Sequence, residues 1–409
     1  MKKLFALVLT FCIVFPLVAC SLSSGDQSNS GLGSASTPEN FHIGIVTGTV
    51  AQSEDELRGA EAFIAKYGSV DSGGIVMHST YPDNFSQELE TTITQIASFA
   101  DDPLCKAIIV NQAVPGTIAA FEKVREMRPD ILLFAGEPQE DPAMVDAVAD
   151  FAVSVDNVLR GYLIILGAKK MGATKFVHIS FPRHMSIDVL SRRHNIMKAA
   201  CEELGLEFID ETAPDPTSDV GIPGAQQYIL EQMPRWVEKY GKDTAFFCTN
   251  DAQTEPLLKR VAELGAIFVE PDLPSPIMGY PGAFDIDLTA EAGDWPAILA
   301  KVEEVVVAAG GGGRMGTWAY SYNYTNTAAL AEYAKRIIEG TATLGSFDDL
   351  MACFQEYTPG AEWNGAFYTY ASGEESPKHV VIYQDTYVFG LGYLGQTSEE
   401  VPDKYKTMA

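Results

Sequence analysis

The sequence predicts an α/β protein made of two Rossmann-like lobes, each built on a parallel, doubly wound sheet. Three observations point there. Short β-rich runs alternate with amphipathic helical stretches along most of the chain, the mark of strand–helix–strand units. The pattern restarts near residue 157 without a long linker. Roughly 390 residues follow the N-terminal leader, more than one hydrophobic core usually serves.

The first set opens at residues 42–47 (HIGIVT), a buried-strand pattern. Ser53-Glu54-Asp55-Glu56 then reads as a capping box, opening a helix that runs to about residue 67. Strand and helix follow at 74–79 and 87–99, and again at 107–111 (AIIVN) and 118–127. Residues 131–135 (ILLFA) and 151–155 (FAVSV) add two strands. The second set begins with a helix over 157–171, a strand at 176–180 (FVHIS) and a long helix at 187–204. A strand at 208–210, a helix near 226–240, a strand at 245–249 (AFFCT) and a helix at 254–264 continue it, and residues 277–280 end another strand.

The leader has its own logic. Lys2 and Lys3 precede an apolar run over 4–16, too short to span a bilayer comfortably as a permanent helix. Leu17-Val18-Ala19-Cys20 reads as a bacterial lipobox. The expectation is a signal peptide over 1–19, lipid attachment at Cys20, and a Ser/Gly-rich flexible tether over 20–40. That places the folded body on the extracytoplasmic face of the cell membrane, anchored by lipid.

Composition narrows the partners. The formal net charge is -27, so nucleic acid and anionic lipid surfaces are repelled. Beyond Cys12 and Cys20 only Cys105, Cys201, Cys248 and Cys353 occur, with no CxxC spacing, which favours buried free thiols and leaves a disulfide among them open. His42, His78, His178, His184, His194 and His379 lack ligand spacing, so no metal is expected. Gly390 to Gly395 matches GxGxxG, but no helix and strand follow to complete a dinucleotide site. There is no GxSxG elbow and no HExxH. No cofactor and no catalysis are expected.

Several stretches carry a family likeness. Val153-Ser154-Val155-Asp156-Asn157, with Gly161, Leu166 and Gly167, resembles the first inter-lobe crossing of type I periplasmic binding proteins. That superfamily includes ribose-binding proteins and the effector domains of LacI-type repressors. Arg192 before Asn195-Ile196 resembles the family's helix start, with Asn in place of Gly. Residues 246–251 (FFCTND) resemble the strand whose Asn-Asp end faces the ligand. Gly279-Tyr280-Pro281-Gly282 resembles the turn of the second crossing, with Pro in place of Asp, and residues 317–322 resemble the returning strand. The body is also similar to a family of functionally uncharacterised bacterial lipoproteins within that superfamily. The resemblance implies the type I periplasmic binding protein fold, with one lobe from 41–155 plus 283–340 and the other from 156–282 plus 341–409.

Ligands of open parallel sheets bind beyond the carboxyl ends of the strands. From the first lobe this selects Thr47, Thr49, Gln52, His78, Tyr81, Asn111, Gln112 and Glu137. From the second it selects Ser180, Arg183, His184, Asn250 and Asp251. Asp156 and Tyr280 mark the crossings, and Trp318 and Tyr320 alternate onto one face that a sugar or base ring can stack on. Arg183 and Arg192 offer guanidinium forks to a carboxylate, a phosphate or a hydroxyl array. The function expected is the lipid-anchored solute-binding receptor of an ABC importer. It works as a monomer, taking a sugar, nucleoside or related polyol, or an anionic variant of one, to a membrane permease. A sensory receptor signalling to a membrane kinase or chemoreceptor is the alternative.

Overall fold

The computed structural model describes residues 40–408; the expected signal peptide, Cys20 and nearly all of the tether lie outside the described residues. The first lobe begins with β1 (His42–Thr47), β2 (Val76–Thr80), β3 (Cys105–Asn111), β4 (Leu132–Gly136) and β5 (Phe151–Val155). The second lobe holds β6 (Lys175–Ser180), β7 (Glu207–Thr212), β8 (Thr244–Cys248) and β9 (Gly316–Trp318). The chain then forms β10 (Asn364–Thr369) and β11 (Glu375–Tyr383), and ends with β12 (Thr386–Val388) and β13 (Gly392–Tyr393).

One seven-stranded sheet has the order β10-β11-β5-β4-β3-β1-β2. All its pairings are parallel except that of β10 with β11. Its near-continuous apolar strands are covered on both faces by helices, as a parallel sheet requires. A second parallel sheet has the order β7-β6-β8. Isolated parallel bridges from Ala245 to Ile267 and from Phe268 to Met315 connect it toward the small antiparallel sheet β13-β12-β9. The expected two-lobed α/β class is therefore the one found.

The partition of the C-terminal half differs from the expectation. Residues 364–383 extend the first sheet, because the apolar run Val380, Val381, Ile382 pairs with β5. The helix Phe347–Tyr357 packs on the helix Tyr322–Ile338 and joins the same core. Residues 295–318 instead serve the second lobe. There the helix Trp295–Ala308 buries Trp295, Ile298, Val302 and Val306 with Met315 and Phe389. The chain thus passes between lobes after β5, between β9 and the helix Tyr322–Ile338, and between β11 and β12.

Two local expectations also change. The helix opens at Val50, with Thr49 as its cap accepting from Ala51 N at 3.2 Å, and kinks at Ser53. Glu56 turns away from a capping box toward the backbone of the β1 and β3 ends. Gly279, at φ 74°, leads into a short helix Tyr280–Phe284 within the second lobe, where the sequence predicted a crossing. The Tyr280 ring is fully buried against Phe284 and Phe389, and its hydroxyl donates to Gly316 O at 2.7 Å.

A buried ion pair sits where the crossings converge. Arg160, on the helix Asn157–Lys170, donates to Glu270 Oε1 at 2.8 Å and to the carbonyls of Pro271 and Asp272 at 2.9 and 2.8 Å. Glu270 Oε2 accepts from Trp318 Nε1 at 3.0 Å and Thr386 Oγ1 at 2.7 Å. Both charged side chains are 1% exposed. Removing one partner of such a pair strands the other charge. Arg160→Met is expected to cost about 3–5 kcal/mol of unfolding free energy, read as a lowered midpoint in urea.

Candidate functional site

The carboxyl ends of the two parallel sheets face each other across a narrow cleft. First-lobe loops supply Gln52, Gln112, Glu137 and Gln139. The second lobe supplies His184, Thr249, Asn250 and Asp251, and the segment after Glu270 adds Asp272 and Leu273. The enclosed space is about 40 Å³, room for a few water molecules. Gln112 Nε2 reaches Asp251 Oδ2 across it at 3.4 Å, and Gln139 Nε2 donates to Gln112 Oε1 at 3.1 Å. The lobes are closed on one another.

The rim is latched. The Arg183 guanidinium forks onto Asp215 at 2.7 and 3.1 Å and lies 5.4 Å over the ring of Phe85 in the opposite lobe. Thr217 accepts from Gln87 Nε2 on its carbonyl at 2.8 Å and donates its hydroxyl to Ser86 Oγ at 3.0 Å.

The walls are acidic. Asp251 Oδ1 is shielded from solvent and has no hydrogen-bond partner among the described residues. Burial, then the charges of Asp272, Asp55 and Glu56, pushes the Asp251 carboxyl well above the usual carboxylate range. Burial likewise raises Glu137 to about 7, although it accepts from Val155 N at 2.7 Å. Glu137 holds φ at 43°, a conformation sparsely used outside glycine, and this aims its carboxylate back at β5. Behind the wall Glu56 gathers Gly48 N, Gln112 N at 3.0 Å and the Tyr81 hydroxyl at 3.0 Å. A Cβ at Gly48 would collide with that carboxylate and hydroxyl, so only glycine fits. Across the cleft Arg193 pairs with Asp272 at 2.5 Å and donates to Asn157 Oδ1 at 2.6 Å.

Of the residues expected from sequence, Gln52, Gln112, Glu137, His184, Asn250 and Asp251 line the cleft. Tyr81 and Ser180 stand one layer behind, through Glu56 and through Thr249 at 2.8 Å. The others lie elsewhere. Thr47 bonds His78 Nε2 at 3.0 Å beneath the first sheet edge, and Thr49 caps its helix and bonds Asp83. Asn111 points the opposite way from Gln112, as alternation along a strand demands, into Asn326 at 3.2 Å and Thr327. Asp156 caps Leu159 N at 2.8 Å and lines a separate pocket behind the crossing, with burial raising it to about 6.

Arg192 is consumed by structure, holding Met408 O at 3.0 Å, Lys406 O at 3.2 Å and the Tyr368 hydroxyl. Its neighbour Arg193 is the one turned toward the cleft wall. Tyr280 and Trp318 are core residues, because each ring fills an apolar layer while its polar atom is satisfied inside. Tyr320 faces a different surface pocket with Tyr387 and Tyr393. Sequence reasoning missed Gln139, Thr249 and Asp272. Gln139 shares the Glu137 loop and Asp272 ends a Glu-Pro-Asp stretch after an apolar run, which was the available signal.

Comparisons with known proteins agree with this architecture. A family model described as "Protein of unknown function (DUF3798)" matches residues 41–316, and a second family model matches residues 327–408. Two proteins of Treponema pallidum (strain Nichols), both described as uncharacterized, are similar to it. One is 41% identical over 219 residues, 53% of this chain and 98% of the relative. The other is 42% identical over 211 residues, 52% of this chain and 95% of the relative. Among solved structures, one from Clostridium difficile 630, described as a candidate transcriptional regulator, aligns with a TM-score of 0.67 at 23% identity, covering 85% of this chain and 98% of its own. An ABC transporter periplasmic solute-binding protein from Actinobacillus succinogenes 130z, with bound D-allose, aligns with a TM-score of 0.48 at 16% identity, covering 74% and 93%. The two-lobed α/β fold and the long family match lead to one conclusion: the chain belongs to the DUF3798 family.

Proposed function

We propose that this chain is a solute-binding receptor, held on the extracytoplasmic face of the cell membrane by a lipid on Cys20, that captures a small polar molecule between its lobes for an ABC permease. The observation that carries this reading is the cleft. Carboxylates and side-chain amides from both sheet edges converge on an enclosed space, the arrangement a small-molecule site needs. The wall chemistry favours a ligand rich in donors, such as a sugar, a nucleoside or a polyol. Asp251 Oδ1 has no hydrogen-bond partner among the described residues, and the Glu137 carboxylate lines the same cleft. An anion meets less: Arg183 is forked onto Asp215, and Arg192 is held by main-chain carbonyls. Residues 20–40 serve as the tether in this reading.

The test is a thermal-shift screen of residues 39–409 against sugars, nucleosides, polyols and small carboxylates. A ligand present at a hundred times its dissociation constant adds about 2.7 kcal/mol, seen as a raised melting temperature, and Asp251→Ala is expected to abolish the shift. A flat screen on well-folded protein, with no change in solution scattering, removes the receptor reading.

The walls also set a pH dependence. Glu137 is raised from 4.5 to about 7. Between those values the native chain keeps a proton that the unfolded chain has released. This group's contribution to stability therefore falls as pH rises through that window and is constant above it. Glu137→Gln removes the effect. The variant should gain on the parent between about pH 4.5 and 7, by at most about 3 kcal/mol. Urea unfolding at about pH 5 and pH 8 checks it, and a constant difference between the two proteins means that Glu137 does not hold the extra proton.

A further inference from the structure

Away from the cleft, the second lobe gathers three metal-ligand side chains that the sequence leaves far apart. His178 stands on β6, Asp210 is its register partner on β7, and His194 comes from the helix Asp188–Leu204 packed over that sheet. A ligand atom from each lies within 4.8 Å of the other two. His194 Nε2 is 2.8 Å from Asp210 Oδ1, and His178 Nδ1 is 3.6 Å from the same oxygen.

The rings are held in place. His178 and His194 meet edge to face at 4.9 Å, and both contact the Phe208 ring, at 6.1 and 5.3 Å. His194 Nδ1 contacts Asn195 Oδ1 at 3.2 Å, an outer contact of the kind that fixes a tautomer and leaves Nε2 free to ligate. The His178 side chain is 2% exposed and its Nε2 has no hydrogen-bond partner among the described residues. Asp210, at 56% exposure, leaves one side open to solvent.

We infer that His178, His194 and Asp210 form a site for a divalent transition metal, zinc foremost, with a fourth position open to water. A simple ion pair accounts for His194 and Asp210. It leaves unexplained a second, buried imidazole turned toward the same oxygen. Two nitrogens and one carboxylate oxygen at this spacing need only small rotations to reach about 2.0–2.2 Å from a common ion. Nitrogen ligands select against calcium and magnesium. The neighbouring cation, Arg193, is occupied by Asp272 and Asn157. Bound metal would staple β7, an end strand of its sheet, to the overlying helix.

The experiment is a zinc titration of the chelator-treated full chain, followed by calorimetry and by melting temperature. The expected result is one zinc per chain at micromolar affinity or tighter, with a raised melting temperature. His194→Ala and Asp210→Asn should each weaken binding at least about tenfold. Both residues reach the surface, so the variants should fold, and unchanged parent-like melting without zinc confirms it. Cobalt(II) should give the intense visible absorption of a four-coordinate site, lost in the same variants. No zinc uptake at high micromolar concentration overturns the inference. So does uptake of equal affinity in the parent and both variants.

Discussion

The junction between the lobes depends on the buried pair Arg160–Glu270. Each charge is costly to remove from water, and the cost is offset only when every donor and acceptor is matched. Here the guanidinium takes two carbonyls as well as the carboxylate, and the carboxylate takes Trp318 and Thr386 as well as the guanidinium. Those partners lie beside different passages of the chain between lobes. One ion pair therefore ties together segments that would otherwise meet only through van der Waals contact. It also explains why Trp318 is drawn inward and does not present a platform to the cleft.

The acidity of the cleft follows from the same economy of charge. With 28 Lys and Arg against 55 Asp and Glu, cations are scarce. Those near the cleft are already matched: Arg160 to Glu270, Arg193 to Asp272, Arg183 to Asp215. Among the described residues Asp251 and Glu137 have no ion-pair partner, and burial raises both of them. Closure is then a polar event at both depth and rim, where Gln112 meets Asp251 and Thr217 meets Ser86.

Much of the fold was legible because parallel strands buried on both faces are read directly as apolar runs. The strands at 42–47, 107–111, 151–155, 176–180 and 245–249 are cases in point. The lobe assignment after residue 283 was not legible. Nothing local in Val380-Val381-Ile382 says that its partner is β5, and the pairing is settled by which sheet edge lacks a neighbour. The strand-end rule found Gln112, Glu137, Asn250 and Asp251 but overreached at Asn111, because adjacent residues of a strand face opposite ways. Arg192 and Arg193 illustrate the same limit on a helix. A rotation of 100° per residue sends one to the C-terminal segment and the other to the crossing, and sequence position alone does not say which. His178, His194 and Asp210 were invisible to spacing because they converge from three elements.

The placement of β11 governs when the first lobe can exist as a finished object. Ser154 and His379 are bonded at a sequence separation of 225, and most of the chain between them builds the other lobe. Until that late strand arrives, β5 is an exposed sheet edge, a template for pairing with the wrong partner. Non-local pairing of this kind slows folding. A chain emerging from its N-terminus has all three strands of the β7-β6-β8 sheet in hand before β11, so the sheet begun second is the first whose strands are all present.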